Sequence, residues 1–126
     1  MRVTLAWILG IGLSINALAM LGWPEPWYGV IPGVSDTGPF NPHFVRDIGC
    51  AYLTAGVGMI GFAIDRRFRD LALGAVAFLV LHALVHLWDG LAGREPMHNL
   101  LADLPSVFLA PVLALWIAWP RRIVSP

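Results

Sequence analysis

The sequence predicts an all-α fold: a four-helix transmembrane bundle running up-down-up-down, with both termini cytoplasmic. Three observations predict it: the composition, the apolar runs and the placement of arginine. Of 126 residues, 58% are hydrophobic and only 13% are charged, where soluble domains carry about 25% charged residues. Mean hydropathy is +0.72. Apolar runs cover residues 3–23, 44–64, 71–88 and 100–119, each near the roughly 20 residues that cross a 30 Å hydrocarbon core. None alternates with a period of two. Backbone groups in lipid must bond within a helix or a closed barrel, so these runs read as helices. The length fits one integral membrane domain, residues 1–126.

All eight basic residues are arginine, and they are unevenly spread. Arg2, Arg66, Arg67, Arg69, Arg121 and Arg122 fall on one side of the expected spans, and only Arg46 and Arg94 on the other. The positive-inside rule then puts both termini and the DRRFRD turn in the cytoplasm. The long loop WPEPWYGVIPGVSDTGPFNPHF and the short loop DGLAGREPMHN face outward. Formal net charge is zero, which leaves no basic patch for nucleic acid. The single cysteine, Cys50, excludes an intrachain disulfide framework and a cysteine-based zinc site.

The first run begins after Arg2 and contains Ala17-Leu18-Ala19, which resembles a secretory leader with a small-residue cleavage site. The run is long for such a leader, so a retained helix is expected. Proline and glycine crowd residues 22–42 and mark a loop. Asn41-Pro42 starts the second span, with Asn41 as cap and Pro42 at the first helical position. Gly10/Ser14 and Ala51/Ala55 allow close helix approach. Pro105 and Pro111 bend the fourth span.

Polar residues inside the spans carry the functional signal. The third span ends HALVHLWD, so His82, His86 and Asp89 lie at i, i+4 and i+7 on one helix face. At 1.5 Å per residue, His86 lies roughly 5 Å deeper than Asp89, and His82 roughly 10 Å deeper. The second span opens NPHFVRD, which stacks His43 on Asp47 with Arg46 beside them; the fourth opens MHNLLAD, with His98 at its mouth and Asp103 a turn deeper. Asn16 in the first span lies at a similar level. All four histidines therefore map to the outer leaflet.

Ionisable groups in a span cost about 2.5–3.5 kcal/mol each on insertion scales and mark function by default. Imidazole and carboxylate from facing helices are how bundles build metal sites, and they suit zinc, copper or iron. The expected ligands are His82, His86, His43 and Asp47. His98, Asp103, Asp89, Arg46 and Asn41 are further ligands or support them, Asp103 as the carboxylate holding an imidazole's second N–H. The competing reading is an interhelical hydrogen-bonded cluster without ligand. In detail, His43 and His98 also fit simple interfacial placement, Asp89 and Glu95 fit solvation, and Cys50 fits packing.

The stretch FVRDIGCAYLTAGVGMIGF, an arginine at the mouth of a Gly/Ala-rich span in a compact four-helix chain, resembles the DoxX-like small bacterial membrane proteins. The resemblance implies a bacterial inner-membrane location and redox or respiratory partners, and carries over no catalytic residue. The functional expectation is thus a metal-binding, redox-related membrane protein with its polar pocket facing outward. The alternatives are an accessory subunit of a larger membrane complex, a homo-oligomer, or a haem- or quinone-binding protein. Haem is disfavoured because His43 and His82 differ in depth by roughly two helical turns.

Overall fold

The computed structural model describes residues 1–94 and 96–120. Arg121, Arg122 and Glu95, which entered the reading above, lie outside the described residues. The element order is α1 (Arg2–Gly22), α2 (Pro24–Val30), a 3-10 turn (Val34–Thr37), α3 (Pro42–Ile64), a second 3-10 turn (Arg66–Phe68), α4 (Arg69–Leu91), α5 (Met97–Asp103), a π-helical turn (Leu104–Phe108) and α6 (Leu109–Ala118). No strand occurs among the described residues. Four stretches are long and apolar enough to cross a membrane: Arg2–Gly22, Pro42–Ile64, Arg66–Leu91 and Met97–Ala118. By length and composition the chain is a multi-pass membrane protein.

Local chemistry sets the helix ends. The Asn41 side-chain oxygen accepts from the backbone N–H of His43 at 3.0 Å and of Phe44 at 3.2 Å, and Pro42 occupies the first turn. Both are as the sequence predicts. At the other end of α3, Asp65 turns the chain into α4 by accepting from the Arg67 backbone N–H at 2.9 Å.

The interior is built from small side chains. Ala6, Ala17, Ala55, Ala72, Ala114 and Ala118 are fully buried, with Phe62, Met20, Met59, Ile117 and Val76 as the large fillers. Large apolar side chains such as Ile15, Leu18, Leu81, Leu84 and Val112 point outward instead. That inversion suits lipid, where no hydrophobic drive separates inside from outside and association depends on close packing. The tightest seam joins α1 and α3. A Cβ on Gly10 would stand 2.8 Å from Ile60 Cγ1, one on Gly49 3.0 Å from Met20 Cβ, and one on Gly56 2.9 Å from the Gly10 carbonyl and against Ser14 Oγ. Gly10 and Ser14 thus allow close approach as predicted, with Gly56 as their neighbour on α3.

Contacts along the seams run in opposite chain directions. Gly10 meets Ile60 while Met20 meets Gly49. Gly61 meets Phe68 while Tyr52 reaches His82. Gly90 meets Leu100 while His86 reaches Asp103. At the end of the bundle opposite the histidines, Arg2 donates to the Trp119 carbonyl at 3.1 Å and lies 4.7 Å over the Trp116 ring, tying the start of α1 to the end of α6.

The fourth span departs from a regular α-helix at its prolines. One π-helical turn absorbs both. The Leu104 N–H closes on the Leu101 carbonyl and the Leu109 N–H on the Leu104 carbonyl, five residues back. Pro105 lies inside this turn. Pro111 opposes the carbonyl of Val107, four residues before it and within the same turn.

Candidate functional site

The two α4 histidines lie one turn apart on one face, their ring centroids 4.7 Å apart. His82 sits in an aromatic bracket. Phe78 stacks on it at 5.6 Å, and Tyr52 from α3 meets it edge-on at 5.8 Å. His86 sits in a polar one. Its Nδ1 lies 2.7 Å from Asp103 Oδ2, with the two side chains only 19% and 14% exposed. Asp103 closes α5 immediately before the π-helical turn. An ionised Asp103 accepts from His86 Nδ1–H and so fixes the tautomer. Nε2 is then an acceptor in the neutral ring and a donor in the imidazolium.

This pair stands at the side of a cavity of about 860 Å³, within the roughly 300–1,000 Å³ of small-molecule sites. Ile8, Leu9, Leu13 and Asn16 of α1, Phe44, Ile48 and Tyr52 of α3, and Val107 and Ala110 towards α6 form the other walls. His82, His86, Asp89, Asp103 and Ser106 give it one polar flank. The Ile8–Leu9 and Ala110 region is wholly apolar.

A roof of α2 and residues 31–41 covers the cavity. Trp27 Nε1 donates to Asn16 Oδ1 at 2.9 Å, Tyr28 OH donates to the Gly38 carbonyl, and Asn99 Nδ2 donates to Asp36 Oδ2 at 3.2 Å. Gly33 adopts φ +82°, where a Cβ would stand 3.3 Å from Asn99. Glycine is required here by conformation and by the closeness of the Asn99 side chain. A second, small void of about 20 Å³ is lined by Pro32, Gly33, Val34, Thr37, His86, Asn99 and Asp103, most of which also line the large cavity.

The structure divides the residues that the sequence grouped together. His82, His86, Asp103 and Asp89 share the cavity, and Asn41 reaches its rim while capping α3. Asp103 holds an imidazole as expected. Asp89 is not simply solvated: Arg94 Nη1 binds its Oδ1 at 2.8 Å. His43 and Asp47 do not join them. They face each other at 3.4 Å on the outer surface of α3, 86% and 59% exposed, and neither lines the cavity. Arg46 reaches back to the Leu21 carbonyl at 3.3 Å. His98 is exposed and lines neither cavity, and Cys50 is exposed. The four expected ligands therefore fall into two separate pairs. The cause is helical phase: on α3 it is the face of Phe44, Val45, Ile48 and Tyr52 that lines the cavity. Among the described residues, no group of three or more His, Cys, Asp or Glu side chains is placed to hold a metal ion.

Two residues escaped the sequence reading. Asn99, 4% exposed, is the buried polar side chain of the α5 region, and Tyr52 brackets His82. A signal for Asn99 existed. It lies four residues before Asp103 and shares that helix face, whereas neighbouring His98 does not. No family model, no curated protein and no solved structure matches the chain.

Proposed function

We propose that the chain binds a lipophilic ligand of the quinone class in the outer half of a membrane bundle. The ligand's carbonyl head lies against His82 and His86–Asp103, and its tail lies towards Ile8, Leu9 and Ala110. The observation that carries this reading is the cavity: about 860 Å³, apolar over most of its walls, with one polar flank on which His86 is hydrogen-bonded to Asp103. A carbonyl oxygen needs a donor, and His86 supplies one at Nε2 when protonated. The bundle runs up-down-up-down with both termini cytoplasmic, on the strength of the arginine asymmetry and the opposed seams. The DoxX-like resemblance supports a bacterial inner membrane. The cavity then faces the extracytoplasmic side.

A short-tailed benzoquinone titrated into protein held in lipid nanodiscs tests this. Trp27 lines the cavity, so its fluorescence reports occupancy. Saturable single-site quenching, lost in Trp27→Phe and weakened in His82→Leu and His86→Leu, is the expected result. Quenching no greater than that in protein-free nanodiscs overturns the reading.

One observation favours a second reading. His86 Nδ1 donates to a carboxylate, the arrangement that orients metal-ligating imidazoles elsewhere, and the His82 ring is 4.7 Å away. These two histidines would supply two ligands to zinc, copper or iron, and the rest would come from the ligand or solvent. Stoichiometric metal retained by the wild type and lost in His82→Ala would select this reading over the first.

A further inference from the structure

Helix α1 and the fourth span are closed against each other at one end and open further along. At the closed end Arg2 donates to the Trp119 carbonyl, and Ala6, Ala114 and Ala118 are fully buried in one core cluster. Towards the histidines, Ile8 and Gly12 of α1 and Ala102 and Ser106 of the fourth span line the large cavity, and all four are exposed. Within an apolar span, a residue that lines a cavity and is also exposed stands at a side opening. Three of these four are Gly, Ala or Ser, and nothing lies within 4 Å of a Cβ built on Gly12. Phe44 of α3 and Val85 of α4 also line the cavity and are exposed, but there a phenyl ring and a branched chain take up the space that Gly12 leaves empty on α1. On the outward side the roof is fastened by Trp27–Asn16 and Asn99–Asp36.

We propose that the cavity opens sideways into the bilayer through a window between α1 and the fourth span, and that its ligand enters from lipid and leaves a long hydrocarbon tail there. The proposal rests on the reading of the cavity as a quinone site, and adds to it the entrance and the class of tail. A long-tailed molecule is already concentrated in the bilayer, because its methylenes leave water for hydrocarbon. Entry from water would part the roof's hydrogen bonds, whereas entry through the window parts none of them. Gly12, Ala102 and Ser106 keep the window wide enough for a chain, and Ile8 gives it an apolar sill. The head passes to His82 and His86 on the far wall, and the tail stays in the opening with its outer part in lipid.

The test compares a tail-less benzoquinone with a decyl-tailed one, each titrated into nanodiscs and read by Trp27 fluorescence, with affinities expressed per lipid. Gly12→Phe sets a ring in the window. Gly74→Phe is the control for bulk, since Gly74 is exposed on α4, lines neither cavity and has nothing within 4 Å of its would-be Cβ. The expected result is that Gly12→Phe weakens the decyl-tailed quinone about tenfold or more, which is what misplacing roughly two methylenes costs, and holds the tail-less one within about twofold. Gly74→Phe changes neither. Unchanged binding of the tailed quinone in Gly12→Phe overturns the window and leaves the ligand site standing. Equal loss of both quinones also overturns it, because the ring then fills the cavity itself, and so does an equal effect of Gly74→Phe. Should Gly12→Phe not fold, Ser106→Phe narrows the window from the opposite side and is judged by the same outcomes. Failure of both quinones to quench the wild type overturns the site, and the window with it.

Discussion

Seventeen residues separate His86 from Asp103 in sequence, and 2.7 Å separate Nδ1 from Oδ2 in space. The distance makes the pair a fixed unit in a bundle otherwise lined by small apolar side chains. Removing one partner leaves the other half-buried without compensation, which costs about 1–3 kcal/mol for a buried polar group. Membrane helices give somewhat less, near 0.6 kcal/mol on average for interhelical hydrogen bonds. Asp103→Leu should therefore lower the unfolding free energy in mild detergent by about 1–2 kcal/mol, and weaken benzoquinone binding about tenfold. Asp103→Asn should retain part of both, since its oxygen still accepts from Nδ1–H. Equal effects of the two substitutions would show that the carboxylate's hydrogen bond to His86 is unimportant.

The α1–α3 seam predicts a pair of contrasting glycine substitutions. A Cβ on Gly56 would collide with Ser14 Oγ and lie 2.9 Å from the Gly10 backbone, neither of which is the loose end of a long chain. Overpacking of this kind costs about 1–3 kcal/mol. Gly12 lies in the same helix region with nothing within 4 Å of its would-be Cβ. Gly56→Ala should lower thermal stability by several degrees, while Gly12→Ala should leave it unchanged or raise it slightly through helix propensity. Thermal melts monitored by circular dichroism compare the two directly.

These residues also show what the sequence could and could not say. Span positions were legible because lipid demands an uninterrupted apolar length, and the Asn41 cap because its side-chain chemistry is local. Gly10 and Ser14 were legible as small residues, but their partner Gly56 depended on the rotation of α3, which composition does not encode. The same rotation hid the separation of His43–Asp47 from His82–His86: depth along a span can be read from residue counts, but which way a face points about the bundle axis cannot. Asn99 was masked by His98, the more reactive neighbour on the wrong face. The roof over the cavity was invisible because its fasteners, Trp27–Asn16 and Asn99–Asp36, join distant parts of the chain.

The turn between α3 and α4 offers a pH prediction outside the spans. Asp65 accepts from the Arg67 side chain at 2.7 Å and from its backbone N–H at 2.9 Å, and these bonds hold its carboxyl below the usual carboxylate value. A depressed folded pKa contributes stability that is present above the unfolded value, near 3.9, and is lost as pH falls through the folded value. The loss therefore begins as pH falls to the unfolded value and is complete once pH is below the folded one. An NMR titration of the labelled carboxyl should give a midpoint under 3.8 in the wild type, moving back up in Arg67→Ala. A wild-type midpoint at or above 3.8 would show that the ion pair does not form in solution.

The π-helical turn places Asp103, and Pro105 is its chemical cause. Proline cannot donate to the Leu101 carbonyl, and its ring would press against that group in a regular helix. The chain responds by taking one extra residue into the turn between Leu104 and Leu109. Each residue rotates a helix by about 100°, so removing the extra one would swing α5 by that angle relative to α6. The carboxylate of Asp103 would then leave His86, and Asn99, on the same face, would leave Asp36. Pro105→Ala restores the missing donor and permits the regular helix. The expected outcome is a fold of unchanged helix content that has lost the His86–Asp103 hydrogen bond and at least ~10-fold in benzoquinone affinity. Helix content by circular dichroism, taken with the histidine spectrum, separates this from unfolding. A Pro105→Ala variant that keeps the His86–Asp103 hydrogen bond would mean that tertiary packing around Val107, and not proline, holds the turn in its π form.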